Sequence, residues 1–282
     1  MRQKSVDLRK IVSTHLERSS KKLDLQLKQL KDTEKRDKFK VYGELLNTYG
    51  YQVTEGAKSV EVPNYYTGEM LTIPLDETLS PLDNAKKYFA RYNKLKRTFE
   101  ALNTQTEETR TEIAHLQTIQ AALAIAESED DLAQIRDELE TYGYIRRKMN
   151  GKKKQKSKSK PFHYRSSDGF DIYVGKNNFQ NDELTFKVAN GNDWWFHAKG
   201  MPGSHVIVKT EGRELPDRTF EEAGRLAGYY SSGRDNEKIE IDYLQRKNVK
   251  KPNSAVAGYV IYYTNYSLTI HPDISGIEKI SE

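Results

Sequence analysis

The 282-residue chain contains no cysteine. Disulfides, thiolate nucleophiles and cysteine-ligated zinc are therefore excluded, and the composition suits a reducing compartment. No apolar run approaches the roughly 20 residues that a membrane helix needs, so membrane insertion is not expected. Met1-Arg2-Gln3-Lys4 leads directly into polar helical sequence, without the pattern of a signal peptide and without a cap-like start. The chain therefore reads as part of a longer protein. The Gly-x-x-x-x-Gly-Lys-Ser/Thr spacing of a Walker loop is missing.

What the chain has in quantity is charge, at 31% of residues, and tyrosine, at 18 residues beside 9 phenylalanines. So many aromatics argue against wholesale disorder. The net charge of +5 is unevenly placed. Residues 1–50 carry 13 basic against 7 acidic side chains, 51–80 carry 1 against 5, and 81–150 carry 11 against 12. Residues 151–160 carry 6 against 0, and 161–282 carry 15 against 17. The basic excess thus lies on the first helix and in a short lysine run, both suited to phosphate. Nucleic-acid contact by the nearly neutral C-terminal part would have to be local.

The expected fold class is α+β: a long antiparallel coiled-coil hairpin with a small β-hairpin tip, then a mixed α/β C-terminal domain. Residues 5–48 read as one helix, with Leu16, Leu23 and Leu30 at heptad spacing and Leu27 and Leu45 extending the stripe. Its partner, 81–127, starts at Pro81, a residue tolerated in a first turn. It repeats Leu82, Ala85, Phe89, Tyr92, Leu95, Phe99, Leu102, Thr106, Thr109, Ile113, Leu116 and Leu123 at 3–4 spacing. Helices of about 45 residues are roughly 65 Å long, and stripes this narrow must pair to be stable. Between them, within about 50–80, Ser59–Val62 and Met70–Ile73 flank the turn signal Pro63–Gly68 and predict a β-hairpin.

Ser128 resembles an N-cap before a third helix, about 129–147, with Leu132, Ile135, Leu139 and Tyr142 on one face and Gly143 as a C-cap. It should pack across the base of the hairpin, completing a unit over 1–150. Residues 151–160, Gly-Lys-Lys-Lys-Gln-Lys-Ser-Lys-Ser-Lys, are a solvated linker that could also seek phosphate. From 161 to 282 strands are expected at 162–165, 170–174, 193–198, 205–209, 239–243, 258–263 and 268–271. A short helix capped by Asn181-Asp182-Glu183 should run to Ala189, and a second should span 219–230.

Three stretches of this last domain could carry function. Gly175-Lys176-Asn177-Asn178-Phe179-Gln180-Asn181 places a glycine, a lysine and amides ahead of a helix. It reads either as an anion-binding loop or as asparagines that turn and cap the chain. Asp193-Trp194-Trp195-Phe196-His197 leads to Pro202-Gly203-Ser204-His205. Strand alternation puts Asp193, Trp195 and His197 on one side and Trp194 and Phe196 on the other. One set should be core, and the other could offer aromatic and imidazole faces to a base or peptide. Asp193, His197 and His205 lack a metal-ligand spacing, and Ser204 lacks a nucleophile-elbow setting, so neither a metal site nor hydrolysis is expected. Arg246-Lys247-Asn248-Val249-Lys250-Lys251 is a basic cluster, either solvated or a phosphate grip.

With these phrases in view, the chain resembles the C-terminal half of NFACT-family proteins, a family that includes fibronectin-binding protein A-like proteins and bacterial ribosome quality-control factors. The first half is similar to the family's coiled-coil and middle segment in Tyr42-Gly43-Glu44-Leu45-Leu46, Val62-Pro63-Asn64-Tyr65-Tyr66, Ile73-Pro74-Leu75-Asp76 and Leu79-Ser80-Pro81, with Asn84-Ala85, Tyr88 and Tyr92-Asn93-Lys94. Residues 161–282 resemble the NFACT-R domain in the 175–181 loop, in 193–197 and in Pro202-Gly203-Ser204-His205. Ala257-Gly258 stands where the family often shows Pro-Gly, and the family's N-terminal domain is not represented.

The resemblance implies a non-enzymatic binding fragment that needs no cofactor and engages the large ribosomal subunit, rRNA and tRNA. In the family, the whole protein recruits tRNA and helps append alanine tails to stalled chains. The alternative it implies is a fibronectin-binding adhesin. Localisation would be cytoplasmic and ribosome-associated, or at the cell surface by non-classical export. The seam could also mediate self-association. The expected RNA- or partner-binding residues are Lys176, Asn177, Asn178, Asn181, Asp193, Trp195, His197, His205, Arg246, Lys247, Lys250 and Lys251.

Overall fold

The computed structural model describes residues 2–146 and 159–280. Of the lysine-rich linker, 151–158 lie outside the described residues. The chain forms two compact units, one of residues 19–111 and one combining 1–18 with 112–282. The class is α+β, as expected.

Helix α1 spans Arg2–Asp32, α2 Arg36–Tyr49 and α3 Pro81–Ile125. The single helix predicted over 5–48 is therefore broken at 33–35. There the Thr33 hydroxyl donates to the Leu30 carbonyl at 2.6 Å and turn hydrogen bonds replace the helical ladder. Such side-chain back-bonding competes with continuing a helix. The stripe on α1 is also more polar than leucine spacing suggested. Ser19, Gln26 and Thr33 are buried, at seven-residue intervals, whereas Leu27 is 36% exposed. On α3, Leu102, Thr106 and Thr109 are buried, as the spacing predicted, while Leu82 lies outside at 58% exposure.

In the 19–111 unit, strands β1 (Ser59–Pro63) and β2 (Met70–Pro74) form the predicted antiparallel hairpin. Period-2 alternation turns Val62 and Ile73 inward, where they pack with Leu45, Leu46 and Ala85. Asn84 ties the entry of α3 together. Its Oδ1 accepts from the Asp76 N–H at 2.9 Å, and its Nδ2 faces the carbonyls of Asp76, Leu79 and Ser80. Ser80 caps the helix by accepting from the Asp83 N–H at 3.1 Å. Gly43 on α2 faces the ring of Phe89, and a Cβ at that position would meet it at 2.8 Å.

In the second unit, Leu8 and Val12 of α1 pack with Leu116, Ile119, Ala122 and Leu123 of α3 and with Leu132, Ile135 and Leu139 of α4 (Glu129–Thr141). Ser128 and Asp131 form a reciprocal capping box at the start of α4. The helix stops at Thr141, short of the predicted 147. Gly143 takes φ +80°, and the Tyr144 N–H returns to the Leu139 carbonyl at 2.8 Å, closing a left-handed C-terminal turn.

The rest of this unit is a seven-stranded, wholly antiparallel sheet in the order β8-β7-β5-β6-β4-β3-β9. Its strands are β3 (Phe162–Arg165), β4 (Asp171–Val174), β5 (Trp194–Ala198), β6 (Val206–Val208), β7 (Ile239–Gln245), β8 (Tyr266–Ile270) and β9 (Glu278–Lys279). One face is covered by α6 (Asp217–Tyr229) through Ala223, Leu226 and Ala227. The other carries Leu184, Trp195, Ile207, Leu244 and Val249. The central strands therefore read as continuous apolar runs.

Two of the predicted elements take another form, and β9 has no counterpart in the prediction. The strand expected at 258–263 is a covering segment whose one ladder contact is a mutual bond pair between Lys250 and Ile261. The short helix is α5, Asn178–Glu183, continuing as a π-helical turn over Leu184–Val188. Its cap is Asn177, ahead of the Asn181-Asp182-Glu183 cap that the sequence suggested.

The Gly43 contact can be tested. Gly43→Ala gains up to about 1 kcal/mol of helix propensity, but overpacking costs about 1–3 kcal/mol. A net loss of about 1–2 kcal/mol is expected in denaturant unfolding. A variant as stable as the parent would show that Phe89 yields freely.

Candidate nucleic-acid interface

The loop before α5 is oriented by its own cap. Asn177 is extended, at φ −155°, and its Oδ1 accepts from the Gln180 N–H at 3.0 Å. That leaves its Nδ2 to donate to Gln134 Oε1 on α4, at 2.6 Å. Gln180 Nε2 donates to the same oxygen at 2.8 Å. Asn178 Nδ2 donates to Glu138 Oε1 of α4 at 2.7 Å and to Thr118 Oγ1 of α3 at 2.8 Å. Glu138 is wholly buried, and His115 Nε2 lies 2.9 Å from the same carboxyl oxygen. Asn181 Oδ1 accepts from the His205 N–H at 3.0 Å and sits where a Cβ on Gly175 would be.

Lys176 is also directed inward. Its Nζ reaches Asp131 Oδ1 at 3.3 Å and lies 4.5 Å from the Phe162 ring centroid. Burial pushes the Asp131 carboxyl up, but the Ser159 hydroxyl, two backbone N–H groups and Lys176 together hold it below the usual range. Lys176, Asn177 and Asn178 are thus turned onto the α3–α4 base, while Asn181 turns toward Gly175 and the His205 N–H within the sheet domain.

The 193–197 stretch divides differently from the sequence expectation. The alternation is real, but the Trp195 face of β5 is covered, and Trp194 on the other face is only partly buried. Trp195 is 0% exposed, with His205 and Tyr262 rings at 5.1 and 5.3 Å. It cannot present a face to a base. Asp193 is buried just before the strand and accepts from Lys209 Nζ at 2.5 Å, from the Asn190 N–H at 2.7 Å and from the Thr210 N–H at 2.9 Å. Burial raises its carboxyl, these donors outweigh that, and the group is held low. The His197 and His205 rings meet edge-on at 5.6 Å, and His205 Nδ1 pairs with the Thr185 hydroxyl at 2.8 Å. Among the described residues no group of three or more His, Cys, Asp or Glu could hold a metal.

The basic cluster splits into anchors and exposed cations. Arg246 Nε donates to the Thr185 carbonyl at 2.6 Å, and Lys251 pairs with Asp182. Lys247 and Lys250 are exposed. What sequence reasoning passed over is Trp194. Its ring lies with Phe220, Tyr243 and Tyr266 at 4.9, 5.8 and 6.2 Å, and it lines an open groove of about 480 Å³. Period-2 alternation identified its face, but only the pairing of β5, β7 and β8 brings these rings together.

Residues 1–158 match the family model for NFACT N-terminal and middle domains, and 160–262 match that for the NFACT protein RNA binding domain. A relative named Rqc2 homolog RqcH from Streptococcus suis (strain 05ZYH33) is 40% identical over 279 residues, which is 99% of this chain and 50% of that protein. The Rqc2 homolog RqcH of Bacillus subtilis (strain 168) is 35% identical over 286 residues, 100% of this chain and 50% of that protein. The chain spans about half the length of the curated relatives it matches. The solved C-terminal part of the fibronectin/fibrinogen-binding protein from Streptococcus suis superposes with a TM-score of 0.77 at 33% identity, covering 99% of this chain and 98% of that one.

Two outcomes are expected from this geometry. Asn178→Ala removes a buried donor from Glu138 and should cost about 2–3 kcal/mol. An unchanged denaturant midpoint would show the amide to be dispensable.

The second concerns pH. Burial holds His205 well below its ordinary value, and His197 is lowered by the same cause. The unfolded chain therefore binds more protons below about pH 6.5, so stability falls as pH drops from 7 to 5, by up to about 1.4 kcal/mol per pH unit for each histidine. Asp131 and Asp193, held low, contribute stability that is lost only at more acid pH, below their unfolded value of about 3.9. Unfolding measured at pH 7 and 5 should show the loss, and His205→Asn should reduce it. Equal stabilities at the two pH values would refute the assignment.

Proposed function

This chain belongs to the NFACT family, and on that premise we propose that it is a non-catalytic, RNA-binding portion of a ribosome-associated quality-control factor. In this reading its partner is the large ribosomal subunit, bound through rRNA and tRNA. The observation that carries it is the match of residues 160–262 to the NFACT protein RNA binding domain, in a part of the chain where Lys247 and Lys250 stand exposed.

The charge distribution supports the same reading. The basic excess of residues 1–50 offers a second, sequence-independent contact with phosphate. tRNA recruitment and alanine tailing belong, in this proposal, to proteins of the relatives' full length, with this chain supplying binding. No helix among the described residues is long and apolar enough to cross a membrane. The solved relative's name cites fibronectin and fibrinogen, which makes fibronectin the natural competing partner.

Co-sedimentation with purified large ribosomal subunits at two salt concentrations tests this. Binding should weaken steeply with salt, and Lys247→Ala with Lys250→Ala should lower the salt slope by about one for each phosphate left unneutralised. Capture by immobilised fibronectin with no subunit binding at either salt would reject the proposal in favour of the adhesin reading.

A further inference from the structure

We propose that the groove beside Trp194 is a pocket for an unpaired nucleobase of single-stranded RNA. This deepens the RNA-binding reading and rests on it. The sheet supplies the platform. Trp194 of β5, Tyr243 of β7 and Tyr266 of β8 stand on the α6 face of three adjacent strands. Tyr243 and Tyr266 are register partners whose rings stack at 5.5 Å and 28°. Helix α6 covers Leu268 and Ile270 further along β8, where Gly224 and Gly228 let it approach closely. At its first turns the cover ends, and Tyr266 is left 62% exposed. Exposed aromatic rings on a sheet are what splayed-out bases stack upon.

The groove adds the rest of a base site. Its walls are Trp194 and Phe220, whose rings meet edge-on at 82°, so the indole is braced in position. The Asn192 and Gln245 side chains also line it. An amide offers both a donor and an acceptor, which suits the polar edge of a base. The volume of about 480 Å³ lies within the range of small-molecule pockets.

Cations flank the groove on two sides. The Arg213 guanidinium is held 4.0 Å over the Phe170 ring. Its ion pair with Glu211, at 3.7 Å, is solvent-exposed and weak. Glu214 is the one acidic lining residue. On the opposite rim the Lys247 N–H donates to the Gly191 carbonyl, beside Asn192, so the exposed end of the basic cluster adjoins the groove. A base in the pocket would leave its flanking phosphates between Arg213 and Lys247. A strongly apolar peptide would leave these cations and both amides unused, which favours RNA as the occupant.

Tryptophan fluorescence isolates the site, because Trp195 is fully buried and Trp194 alone faces the groove. The 282-residue chain is titrated with a single-stranded RNA of about 12 nucleotides, within the span a single-strand binding groove tracks, with a duplex RNA of equal charge, and with an unfolded polypeptide. Single-stranded RNA should quench the emission. Tyr266→Ala should weaken its binding about tenfold while leaving duplex binding unchanged, and Tyr266→Phe should restore it. Binding of both RNAs without quenching, and equally in Tyr266→Ala, would overturn the pocket while leaving the RNA-binding reading intact. Quenching by the polypeptide alone would assign the groove to peptide and overturn the proposal. Failure of either RNA to bind would remove the reading on which it rests.

Discussion

Glu138 has no exposed surface, and a buried carboxyl must be met by hydrogen bonds or it destabilises the fold by several kcal/mol. Its Oε1 is met from two directions, while Oε2 has no hydrogen-bond partner among the described residues. His115 approaches from α3, and Asn178 from the loop that precedes α5. Because Asn178 also binds Thr118, and Asn177 and Gln180 converge on Gln134, one patch of α3 and α4 is matched amide by amide to one loop of the sheet domain. Polar networks of this kind are sensitive to geometry, since each member left unpaired is costly. Register between the helical base and the sheet is therefore set by direction as well as by contact area.

The same constraint explains features nearby. Gly258 takes φ +79°, and a Cβ there would collide with Asn178 Oδ1, so a glycine is required on the covering segment. Its neighbour Ala257 donates its N–H to the Tyr142 hydroxyl at 2.7 Å. A proline at this place would have no such donor. The alanine thus allows one hydrogen bond from the covering segment to Tyr142, the residue that caps the end of α4. Tyr142 in turn packs edge-on against His115 at 4.5 Å, which leads back to the Glu138 carboxyl.

Exposed cations and aromatic rings lie where this network ends. The residues drawn into it, Lys176, Asn177 and Asn178, hold the domain to its base, and Asn181 braces the loop against His205. Arg246 and Lys251 fix the covering segment, leaving Lys247 and Lys250 at the surface. The aromatic strip is exposed for a different reason. Tyr266 lies on β8, the strand at the sheet edge, so no neighbouring strand covers its outer side and it stands largely in solvent.

The residue order alone set the local elements. Heptad and period-2 spacing placed α3, the β1–β2 hairpin, the Ser128 cap and the Gly143 stop, because these depend on neighbours within a few residues. It also determined the family, through phrases long enough to be specific. It did not reveal the break at 33–35, where a threonine side chain competes with the helix, or the burial of Trp195 rather than Trp194. A strand's alternation says which residues share a face, but not which face another layer will cover. That was decided by β5 pairing with β6 and β7 at the sheet centre, and by α6 and the 249–262 segment closing its two sides. Likewise, a loop of asparagines and a lysine has the same composition whether its amides meet an anion or a neighbouring helix. Only the long-range placement of Glu138 and Gln134, some 40 residues earlier in the chain, decided that they face inward.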